Sequence, residues 1–408
     1  MKVYLVGGAV RDRLLELKPK EKDWVVVGAT PDKLLSKGFR KVGKDFPVFL
    51  HPETNEEYAL ARTERKTGNG YYGFDCQFDP SVTLEEDLLR RDLTINAMAM
   101  DEKGHLIDPY QGEKDLKNKI LRHVSPAFVE DPVRVLRVAR FLARYHHLGF
   151  RIAQETRLLM YQMVKRNDLQ HIVAERIWQE WQRSLGETNP EQFILALRDC
   201  GALSVLLPEI DNLFGIPNPK KYHREIDTGI HVLFSLQAAV KLSENLPVRF
   251  AALLHDVGKA LTPMMLWPKH HQHEQGGMSL LEPLCQRLRV PSEYKDLALI
   301  VSCYHLTVHR VFELKPNTIV SVLEKLDAFR RPQRFFDILL ACEADAKACG
   351  DFERDYPQRE IWHALYKCCA DVQAQALIKP GMRGIDVKRI MHQSRIQCVK
   401  DFWKTYEK

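Results

Sequence analysis

Several features that mark specialised classes of protein are missing from this sequence. Among its nine cysteines there is no Cys-x-x-Cys pair, and no apolar stretch approaches the length of a membrane-spanning helix. The chain also has no internal repeat and no low-complexity tract. These absences weigh against a zinc ribbon, a disulfide-stapled secreted domain, a membrane protein and a solenoid. They predict free thiols in a reducing compartment, and therefore a cytoplasmic protein that does not contact a membrane.

The chain is long enough for more than one hydrophobic core. It has 408 residues, of which 45% are hydrophobic and 28% charged, and its net charge of +6 is compatible with a nucleic-acid partner without requiring one. Strand and helix patterns are mixed in the first third, whereas apolar residues recur at helical spacing from about residue 130 onward. The sequence therefore predicts an α+β head followed by an all-α body, with residues 215–221 as a linker.

Two acidic residues introduce the second predicted strand of the head. Glu21 and Asp23 are separated by one residue, so their side chains point to the same face of a strand. Neighbouring carboxylates repel each other unless cations lie between them, and phosphoryl transfer needs Mg²⁺ in such a place. Gly7 and Gly8 join a strand to a helix, where backbone N–H groups can approach a phosphate and Arg11 lies one turn further on. Taken alone, however, a solvated charge pair and a tight turn explain these residues better.

One helix of the body carries a stripe of arginines. Asp131 and Pro132 are typical of a helix start, with a capping side chain followed by a proline at the first helical position. The arginines that then recur on one face are Arg134, Arg137, Arg140 and Arg144. Because the helix has no acid after Asp131 to offset them, we expect an external anion to do so, and a solvated positive face is the alternative.

A second group of possible ligands lies in the helical body. Histidine and aspartate side chains recur in order along it, at His231, His255, Asp256, His273, His305 and Asp345. A mixture of imidazole and carboxylate suits a divalent metal, and the choice among Mn, Ni, Co, Fe and Zn stays open. A single histidine on a helix is more often a core or surface residue, and residues 269–274 read equally well as a polar loop.

The head motifs resemble those of the polymerase-β-like nucleotidyltransferases. Residues 7–12 read G-G-A-V-R-D, residues 21–23 read E-K-D, residues 90–96 read R-R-D-L-T-I-N and residues 130–137 read E-D-P-V-R-V-L-R. Their order is similar to that of the class II branch, which contains bacterial CCA-adding enzymes and poly(A) polymerases. One position departs from the family, because Glu21 stands where an aspartate is usual. Glutamate offers the same oxygens one methylene further from the backbone.

This resemblance implies roles for several residues of the head motifs. Glu21 and Asp23 would be catalytic and would hold Mg²⁺, with Glu57 either a further ligand or a surface charge. Asp131 and Arg134 would select the base of the incoming CTP or ATP by hydrogen bonding. The other nucleotide contacts would come from Gly8, Arg11, Arg91, Arg137 and Arg140.

The body resembles the HD phosphohydrolase superfamily. By that resemblance the metal ligands are His231, His255, Asp256 and Asp345, with His273 and His305 at optional extra positions. His255 and Asp256 would be the catalytic residues of a phosphatase, 2′-nucleotidase and 2′,3′-cyclic phosphodiesterase. The metal would be Ni²⁺, since some CCA-adding enzymes with this module respond to nickel.

Together the two resemblances predict an enzyme that adds C, C and A to the 3′ end of tRNA. They imply a nucleotidyltransferase head at 1–125, a helical neck with the nucleotide-selecting helix at 126–220, an HD domain at 221–330 and a tRNA-binding helical tail at 331–408. The partners would be tRNA, CTP and ATP, and the chain would be a monomer or a weak homodimer.

Three other functions stay open at this point, and the simplest of them is a non-catalytic tRNA-binding protein. A poly(A) polymerase shares the head motifs, and a metal phosphohydrolase with a non-catalytic RNA-binding head would keep only the activity of the body. The basic loop 65–73 is a candidate moving part in a switch from CTP to ATP. Residues 220–221 and 330–334 are basic, and they are either contacts to the tRNA backbone or solubilising charge.

Overall fold

The chain forms two compact units, Met1–Leu206 and Leu207–Lys408. This is a computed structural model, and it describes residues 1–19, 21–42, 48–66, 74–219, 227–348, 355–373 and 382–406. All strands of the described residues lie in the first unit, and the second unit is helical. The predicted class, a mixed-sheet head followed by helices, is therefore confirmed. Most of the basic loop 65–73 and the basic pair 220–221 lie outside the described residues.

The head is organised around a mixed sheet with strand order β3-β4-β5-β2-β1-β8-β9. Strand β2 runs parallel to β5, and the other neighbours in this sheet are antiparallel. Strands β6 and β7 form an antiparallel pair, and β10 and β11 a short parallel pair. The strands are β1 (Lys2–Val6), β2 (Asp23–Val27), β3 (Arg40–Val42), β4 (Val48–Leu50), β5 (Glu57–Leu60), β6 (Thr63–Lys66), β7 (Phe74–Gln77), β8 (Ala99–Met100), β9 (Leu106–Ile107), β10 (Ile120–Leu121) and β11 (Arg151–Ile152).

The sheet is buried on both faces because side chains alternate along each strand. Val25 of β2 packs into a core with Val6 and Leu88, whereas its neighbour Val26 packs on the opposite face with Leu34. The apolar run of β2 is thus explained by two cores, and it leaves only the start of the strand for polar side chains.

The helices of the first unit surround this sheet and continue beyond it. They are α1 (Gly8–Leu14), α2 (Pro31–Leu35), α3 (Leu84–Leu89), α4 (Gly112–Lys117), α5 (Val133–Tyr145), α6 (Gln154–Lys165), α7 (Ala174–Leu185), α8 (Glu191–Asp199) and α9 (Ala202–Leu206), with 3₁₀ turns at Thr94–Asn96, Pro126–Glu130, His146–Leu148 and Asp168–His171. Helix α3 begins with a capping box, in which Thr83 and Glu86 each accept a hydrogen bond from the other's backbone N–H. The helix ends at Leu89, and Arg90, the first residue of the R-R-D motif, is its C-cap residue.

The arginine helix starts one residue later than its sequence predicts. Pro132 is the N-cap residue of α5, so Asp131 is not the cap. The Asp131 side chain still accepts a hydrogen bond of 3.3 Å from the N–H of Val133, two residues further along the chain.

The second unit is built from helices α10 to α18, and none of the described helices of the chain is both long and apolar enough to cross a membrane. The helices are α10 (Pro208–Asp211), α11 (Thr228–Leu242), α12 (Leu246–Leu254), α13 (His273–Arg287), α14 (Ser292–His309), α15 (Pro316–Lys325), α16 (Pro332–Ala346), α17 (Pro357–Ala370) and α18 (Gly384–Tyr406), with 3₁₀ turns at Val257–Leu261, Met264–Leu266 and Val311–Glu313.

The prediction that the cysteines are free thiols is wrong for one pair. Cys368 of α17 and Cys398 of α18 form a disulfide. The free thiols of the described residues are Cys200, Cys285, Cys303, Cys342 and Cys369. Spacing alone did not mark the bonded pair, because only the packing of α17 against α18 brings the two side chains together.

Candidate active sites

The head site lies where β2 begins. Asp23, the first residue of β2, pairs with Val6 at the end of antiparallel β1 and with Glu57 at the start of parallel β5. This register places Asp23 between Glu57 and the glycine turn that follows Val6. Glu21, Asp23 and Glu57 line one cavity of about 440 Å³. The structure therefore brings the two predicted carboxylates together with the third one that the sequence left undecided.

Glu56 and Lys22 line the same cavity, and Glu56 differs from the other three carboxylates in its hydrogen bonds. Glu56 accepts hydrogen bonds from Trp24 Nε1 at 2.8 Å and from Lys22 Nζ at 3.1 Å. Within the described ranges, no such bond is made by the side chains of Glu21, Asp23 and Glu57. Burial raises the pKa of Asp23, the guanidinium of Arg91 lowers it and Glu21 raises it, and the resulting pKa lies above the usual value. The cavity thus holds negative charge that the protein offsets only in part, which suits cations.

Arg91 lies against the glycine turn beside this cavity. Gly7 has φ +65°, which favours glycine, and a Cβ there would be 2.7 Å from Arg91 Nη1, so a larger residue would displace the guanidinium. The guanidinium is held by buried Asp87, with Nη2 at 3.1 Å, and by the carbonyl of Asn96 at 3.4 Å. Its buried Nε has no hydrogen-bond partner among the described residues. A buried donor of this kind indicates a place where a bound anion would complete the site.

The arginine stripe of α5 is neutralised by the protein itself. Arg137 Nε donates to Asp92 at 2.7 Å, and Arg140 Nε donates to Glu180 of α7 at 2.6 Å. The prediction that an external anion offsets the stripe is therefore wrong for these residues. The acids come from elements more than 35 residues away along the chain, so the helix sequence alone did not reveal them.

Arg11 and the last arginine of the stripe meet in a second buried network. Arg11 is 3% exposed, pairs with Asp12 at 2.8 Å and donates to the side-chain oxygen of Asn96. Asp12 also accepts from Arg144 at 3.1 Å and from the Tyr145 hydroxyl at 2.9 Å. Arg11 thus joins α1 to the motif after α3 and, through Asp12, to α5.

The two residues expected to read the base are oriented by other groups. Asp131 accepts hydrogen bonds from both terminal nitrogens of Arg176, at 2.9 and 2.8 Å. Arg134 donates to the carbonyl of Ala127 at 2.9 Å and to the carbonyl of Arg90 at 2.6 Å. Sequence reasoning missed Arg176, because it belongs to α7 and only the packing of α7 near the start of α5 connects it to Asp131.

The second candidate site is a buried cluster in the helical unit. Its members come from α11, the turn after α12, α13, α14 and α16, and they are His231, His255, Asp256, His273, His305 and Asp345. Each is at most 8% exposed. Gly258 permits this arrangement, because a Cβ there would lie 1.9 Å from the carbonyl oxygen of His273. The structure therefore brings together every residue that the HD resemblance pointed to.

Ligand atoms in the cluster approach each other closely. His255 Nε2 lies 3.2 Å from Asp256 Oδ2 and 3.3 Å from Asp345 Oδ1. His231 Nε2 lies 3.0 Å from the same oxygen of Asp345. The other oxygen of Asp256, Oδ1, lies 3.2 Å from His273 Nε2. Among the described residues, this cluster supplies all the groups of three donors that lie within 4.8 Å of one another.

Three of the histidines direct Nε2 into the cluster and Nδ1 toward the backbone. Nδ1 lies 2.8 Å from a backbone carbonyl oxygen in His255, 2.7 Å in His273 and 3.0 Å in His305. A carbonyl only accepts, so Nδ1 carries the proton and Nε2 of a neutral ring presents a lone pair to the cluster. His273 Nε2 and His305 Nε2 are 3.3 Å apart, and His255 Nε2 and Asp256 Oδ1 are buried without a hydrogen-bond partner among the described residues. Inward-facing acceptors in this arrangement fit a divalent cation.

Without a metal, the pKa shifts in the cluster favour ionised carboxylates and a neutral His305, but a protonated His255. Burial lowers the pKa of His305 to about 3, and the nearby charge of His255 adds to this. Burial raises the pKa of Asp256, but His255 and Lys259 hold it well below the usual value. Burial lowers the pKa of His255, but the charges of Asp256 and Asp345 raise it by more, so the pKa lies well above the usual value. The carboxylates are therefore ionised, and a cation would take the place of the proton on His255.

Two residues near the cluster were given no role from the sequence. Lys259 Nζ lies 2.6 Å from Asp256 Oδ2 and donates to Asn218 at 3.0 Å. His309 Nε2 lies 2.7 Å from Asp345 Oδ2. His309 follows His305 by four residues on α14, which places both on one face of the helix, and that spacing was the available signal.

Comparison with known proteins identifies the class first. Residues 3–122 match the model of the poly A polymerase head domain, residues 149–214 match the probable RNA and SrmB-binding site of polymerase A, and residues 228–328 match the HD domain. The chain is thus a nucleotidyltransferase of the poly(A) polymerase head type joined to an HD domain.

Its full-length relatives identify the family. The chain is 64% identical to the multifunctional CCA protein of Legionella pneumophila (strain Paris) over 411 residues, which covers 100% of both chains. It belongs to the multifunctional CCA protein family, and it is therefore a CCA-adding tRNA nucleotidyltransferase that carries an HD domain.

Solved structures share the fold at low sequence identity. A CCA-adding enzyme in complex with CTP gives a TM-score of 0.62 at 20% identity, covering 100% of this chain and 92% of the other. The Thermotoga maritima CCA-adding enzyme in complex with tRNA gives 0.61 at 18% identity, covering 97% of this chain and 86% of the other. At these identities the likeness concerns the fold alone.

Proposed function

We propose that the head adds C, C and A in turn to the 3′ end of tRNA from CTP and ATP, without a nucleic-acid template. The carboxylate cavity at Glu21 and Asp23, in a chain of this family, carries the proposal. The tRNA 3′-oxygen forms a bond to the α-phosphorus of the nucleotide, the bond from that phosphorus to the β-phosphate oxygen breaks, and pyrophosphate leaves. CTP and tRNA complexes of proteins with this fold support these partners.

Glu21 and Asp23 are the residues that would hold Mg²⁺, and Glu57 offers a third carboxylate in the same cavity. When bound, the metal neutralises triphosphate charge and activates the attacking hydroxyl. The attacking hydroxyl gives up its proton as the new bond forms, and water in the open cavity can accept it. Arg91, held against the turn at Gly7, would bind the phosphates with its unpaired Nε.

The remaining arginines are assigned by their contacts. The ion pairs of Arg11, Arg137 and Arg140 with protein carboxylates weigh against a direct contact of their paired nitrogens with the nucleotide. We propose that these three arginines act on nucleotide binding mainly by holding α1 and α5 in place. Part of the Arg137 side chain, which is 33% exposed, is also accessible to a phosphate.

Base selection rests on Asp131 and Arg134. A carboxylate accepts from the exocyclic amino group that cytosine and adenine share, and a guanidinium donates to ring acceptors. We expect Asp131→Ala to allow UTP or GTP to be added, since the accepting group that rejects them is lost. Sequencing of the added nucleotides measures this, with Glu130→Gln as the neighbouring control. Unchanged selectivity in Asp131→Ala would remove this residue from base selection.

The addition activity has a direct test in the length of the product. A tRNA that lacks CCA, incubated with CTP and ATP, should gain three nucleotides and then stop. With CTP alone it should gain two. A long A tail made from ATP alone would instead identify a poly(A) polymerase, which shares the head motifs.

For the HD domain we propose phosphatase, 2′-nucleotidase and 2′,3′-cyclic phosphodiesterase activity. The inward-facing acceptors of the buried cluster carry this proposal. The ligands would be His231, His255, Asp256 and Asp345, with Ni²⁺ as the metal and with His255 and Asp256 as the catalytic pair. A bound cation supplies an activated water and neutralises phosphate charge. The protein is stripped of metal with EDTA and reloaded separately with Ni²⁺, Co²⁺, Mn²⁺, Zn²⁺ or Mg²⁺. We expect the Ni²⁺ form to hydrolyse a 2′,3′-cyclic nucleotide fastest. No hydrolysis with any of these ions would contradict the proposal.

We keep the functional segments 1–125, 126–220, 221–330 and 331–408 as proposed boundaries, with the chain acting as a monomer or weak homodimer. Arg330 and Arg331, which lie on either side of the boundary between the last two segments, have side chains that are 84% and 57% exposed. Both lie near Asp327, at 3.9 and 3.5 Å, so their charge is only partly offset and suits a contact with the tRNA backbone.

A further inference from the structure

A chain of hydrogen bonds reaches the HD cluster from outside the HD-domain match. His309 Nε2 lies 2.7 Å from Asp345 Oδ2, and His309 Nδ1 lies 2.8 Å from the hydroxyl of Tyr356. We infer that His309 and Tyr356 are positioning residues that hold Asp345 in the orientation in which it ligates the HD cation. The inference rests on the proposed metal-dependent function of this domain.

The direction of each hydrogen bond follows from its acceptor. The ionised carboxylate of Asp345 only accepts, so His309 Nε2 carries a proton and donates it. His309 Nδ1 then has a lone pair and accepts from the Tyr356 hydroxyl. One oxygen of Asp345 is thereby held from outside, and the other faces His231 and His255 at 3.0 and 3.3 Å. A hydrogen bond from outside the ligand set is the usual way in which proteins orient a metal ligand.

The geometry distinguishes His309 from the proposed ligands themselves. His309 is absent from the groups of three close donors that the described residues form. Its side chain is 21% exposed, compared with 2% for His305 one turn earlier. His309 Nε2 contacts Oδ2 of Asp345, whereas the Nε2 atoms of His231 and His255 contact Oδ1. His309 therefore acts on the site through Asp345.

The start of α17 holds the end of α14 in place for this contact. Trp362 Nε1 donates to the carbonyl of Val308 at 2.9 Å, and Gln358 Nε2 donates to the carbonyl of His309 at 3.3 Å. The rings of His309 and Tyr356 meet edge to face with centroids 5.6 Å apart. The helical segment after residue 330 thus has a task besides any contact with tRNA, because it completes the surroundings of the HD site.

The role of His309 and Tyr356 in positioning Asp345 is tested by Ni²⁺ binding rather than by hydrolysis alone. EDTA-stripped full-length chain is titrated with Ni²⁺ in a calorimeter, as wild type, His309→Ala, Tyr356→Phe and the double variant. We expect His309→Ala to weaken Ni²⁺ affinity about 10- to 100-fold, as for other residues that orient a ligand. Tyr356→Phe, which removes one hydrogen bond, should weaken it about 2- to 10-fold. The double variant should match His309→Ala, because the tyrosine acts only through the histidine.

Two further variants separate positioning from general disruption. Tyr366→Phe is the matched control on α17, since the Tyr366 ring packs against Phe335 and Phe336, and its Ni²⁺ affinity should equal that of the wild type. His309→Gln keeps an amide N–H that can donate to Asp345, and it should recover part of the affinity that His309→Ala loses. If His309→Ala fails to fold, His309→Gln and Tyr356→Phe carry the test.

Several outcomes would overturn the inference. Unchanged Ni²⁺ affinity in His309→Ala contradicts it, and so does a Tyr356→Phe effect of the same size in the wild type and in the His309→Ala background. Loss of a nitrogen ligand from the Ni²⁺ absorption spectrum of His309→Ala would make His309 a ligand instead. If the wild type binds none of the divalent ions, the proposed HD function fails, and this inference fails with it. That result is distinct from a wild type that binds and a variant that binds equally well.

Discussion

The head cavity and the HD cluster hold their charged side chains in different ways. Glu21, Asp23 and Glu57 line an open cavity of about 440 Å³, and Arg91 is the cation that lowers the pKa of Asp23. In the HD cluster the candidate ligand side chains are buried, and three imidazoles each donate a hydrogen bond to a backbone carbonyl. The difference indicates that the head site is completed by its substrates and their cations, whereas the HD site is built in advance for a resident cation.

The largest expected effect is a separation of the two activities. Asp23→Asn should lower nucleotide addition at least about 100-fold, because metal-ion stabilisation of a transition state is worth several kcal/mol. Hydrolysis of a 2′,3′-cyclic nucleotide by the same variant should stay within about twofold of the wild type.

The reciprocal variant is Asp256→Asn, which should lose hydrolysis and keep nucleotide addition. Both reactions are measured on the same preparations of the two proteins. Addition that survives Asp23→Asn would remove the head cavity as the site of chemistry. Loss of both activities in either variant would mean that the two sites are not independent.

A resident cation should also stabilise the helical unit. At a free Ni²⁺ concentration about 100 times its dissociation constant, binding adds about 2.7 kcal/mol to the free energy of unfolding. For a unit of this size that raises Tm by about 5–10 °C, and EDTA should reverse the shift. Scanning calorimetry of the wild type and of His255→Ala measures the effect.

Mg²⁺ at the same concentration provides the comparison between the two sites. It should shift the unfolding of the first unit by much less, since the open head cavity does not bind a cation tightly without its nucleotide. An equal shift with Mg²⁺, or a Ni²⁺ shift that persists in His255→Ala, would contradict the distinction between the sites.

In the first unit, buried charge outside the cavity stabilises the fold. Asp92 is 6% exposed and accepts from Arg137 at 2.7 Å and from Asn96 at 2.9 Å. Asp92→Asn should lower the free energy of unfolding by about 2 kcal/mol, because it removes the nearer counter-charge of Arg137 and leaves only Glu180, at 3.8 Å. Urea denaturation measures the loss, with Glu85→Gln as an exposed control on the same domain. A change below about 0.5 kcal/mol would show that Arg137 finds another partner.

The smallest effect concerns pH. Burial raises the pKa of Asp92, but Arg137 and the hydrogen bond from Asn96 hold it well below the usual value. A lowered folded-state pKa stabilises the protein above the unfolded pKa of about 3.9, and this stabilisation is lost as the pH falls toward the folded pKa. The free energy of unfolding should therefore decrease below about pH 4 in the wild type and less steeply in Asp92→Asn. Urea titrations between about pH 3 and pH 7 measure both slopes, and equal slopes would contradict the assignment.

Much of the fold and both groups of candidate residues follow from local sequence patterns. The apolar run of β2 predicted a buried strand, and the E-x-D spacing predicted that Glu21 and Asp23 share a face, because side chains alternate along a strand. The order of histidines and aspartates in the body predicted the members of the HD cluster. Each of these inferences uses residue type and short spacing, which determine local conformation and ligand chemistry.

Contacts between distant elements required the tertiary structure. Asp92 and Glu180, which neutralise the arginine stripe, lie more than 35 residues from their partners, and so does Arg176, which orients Asp131. The disulfide of Cys368 and the contact of Tyr356 with His309 likewise join separate helices. The spacing of residues in the sequence shows which charges lie on one face of a helix. The partner of each charge depends on which elements pack against that helix, and only the folded chain determines that packing.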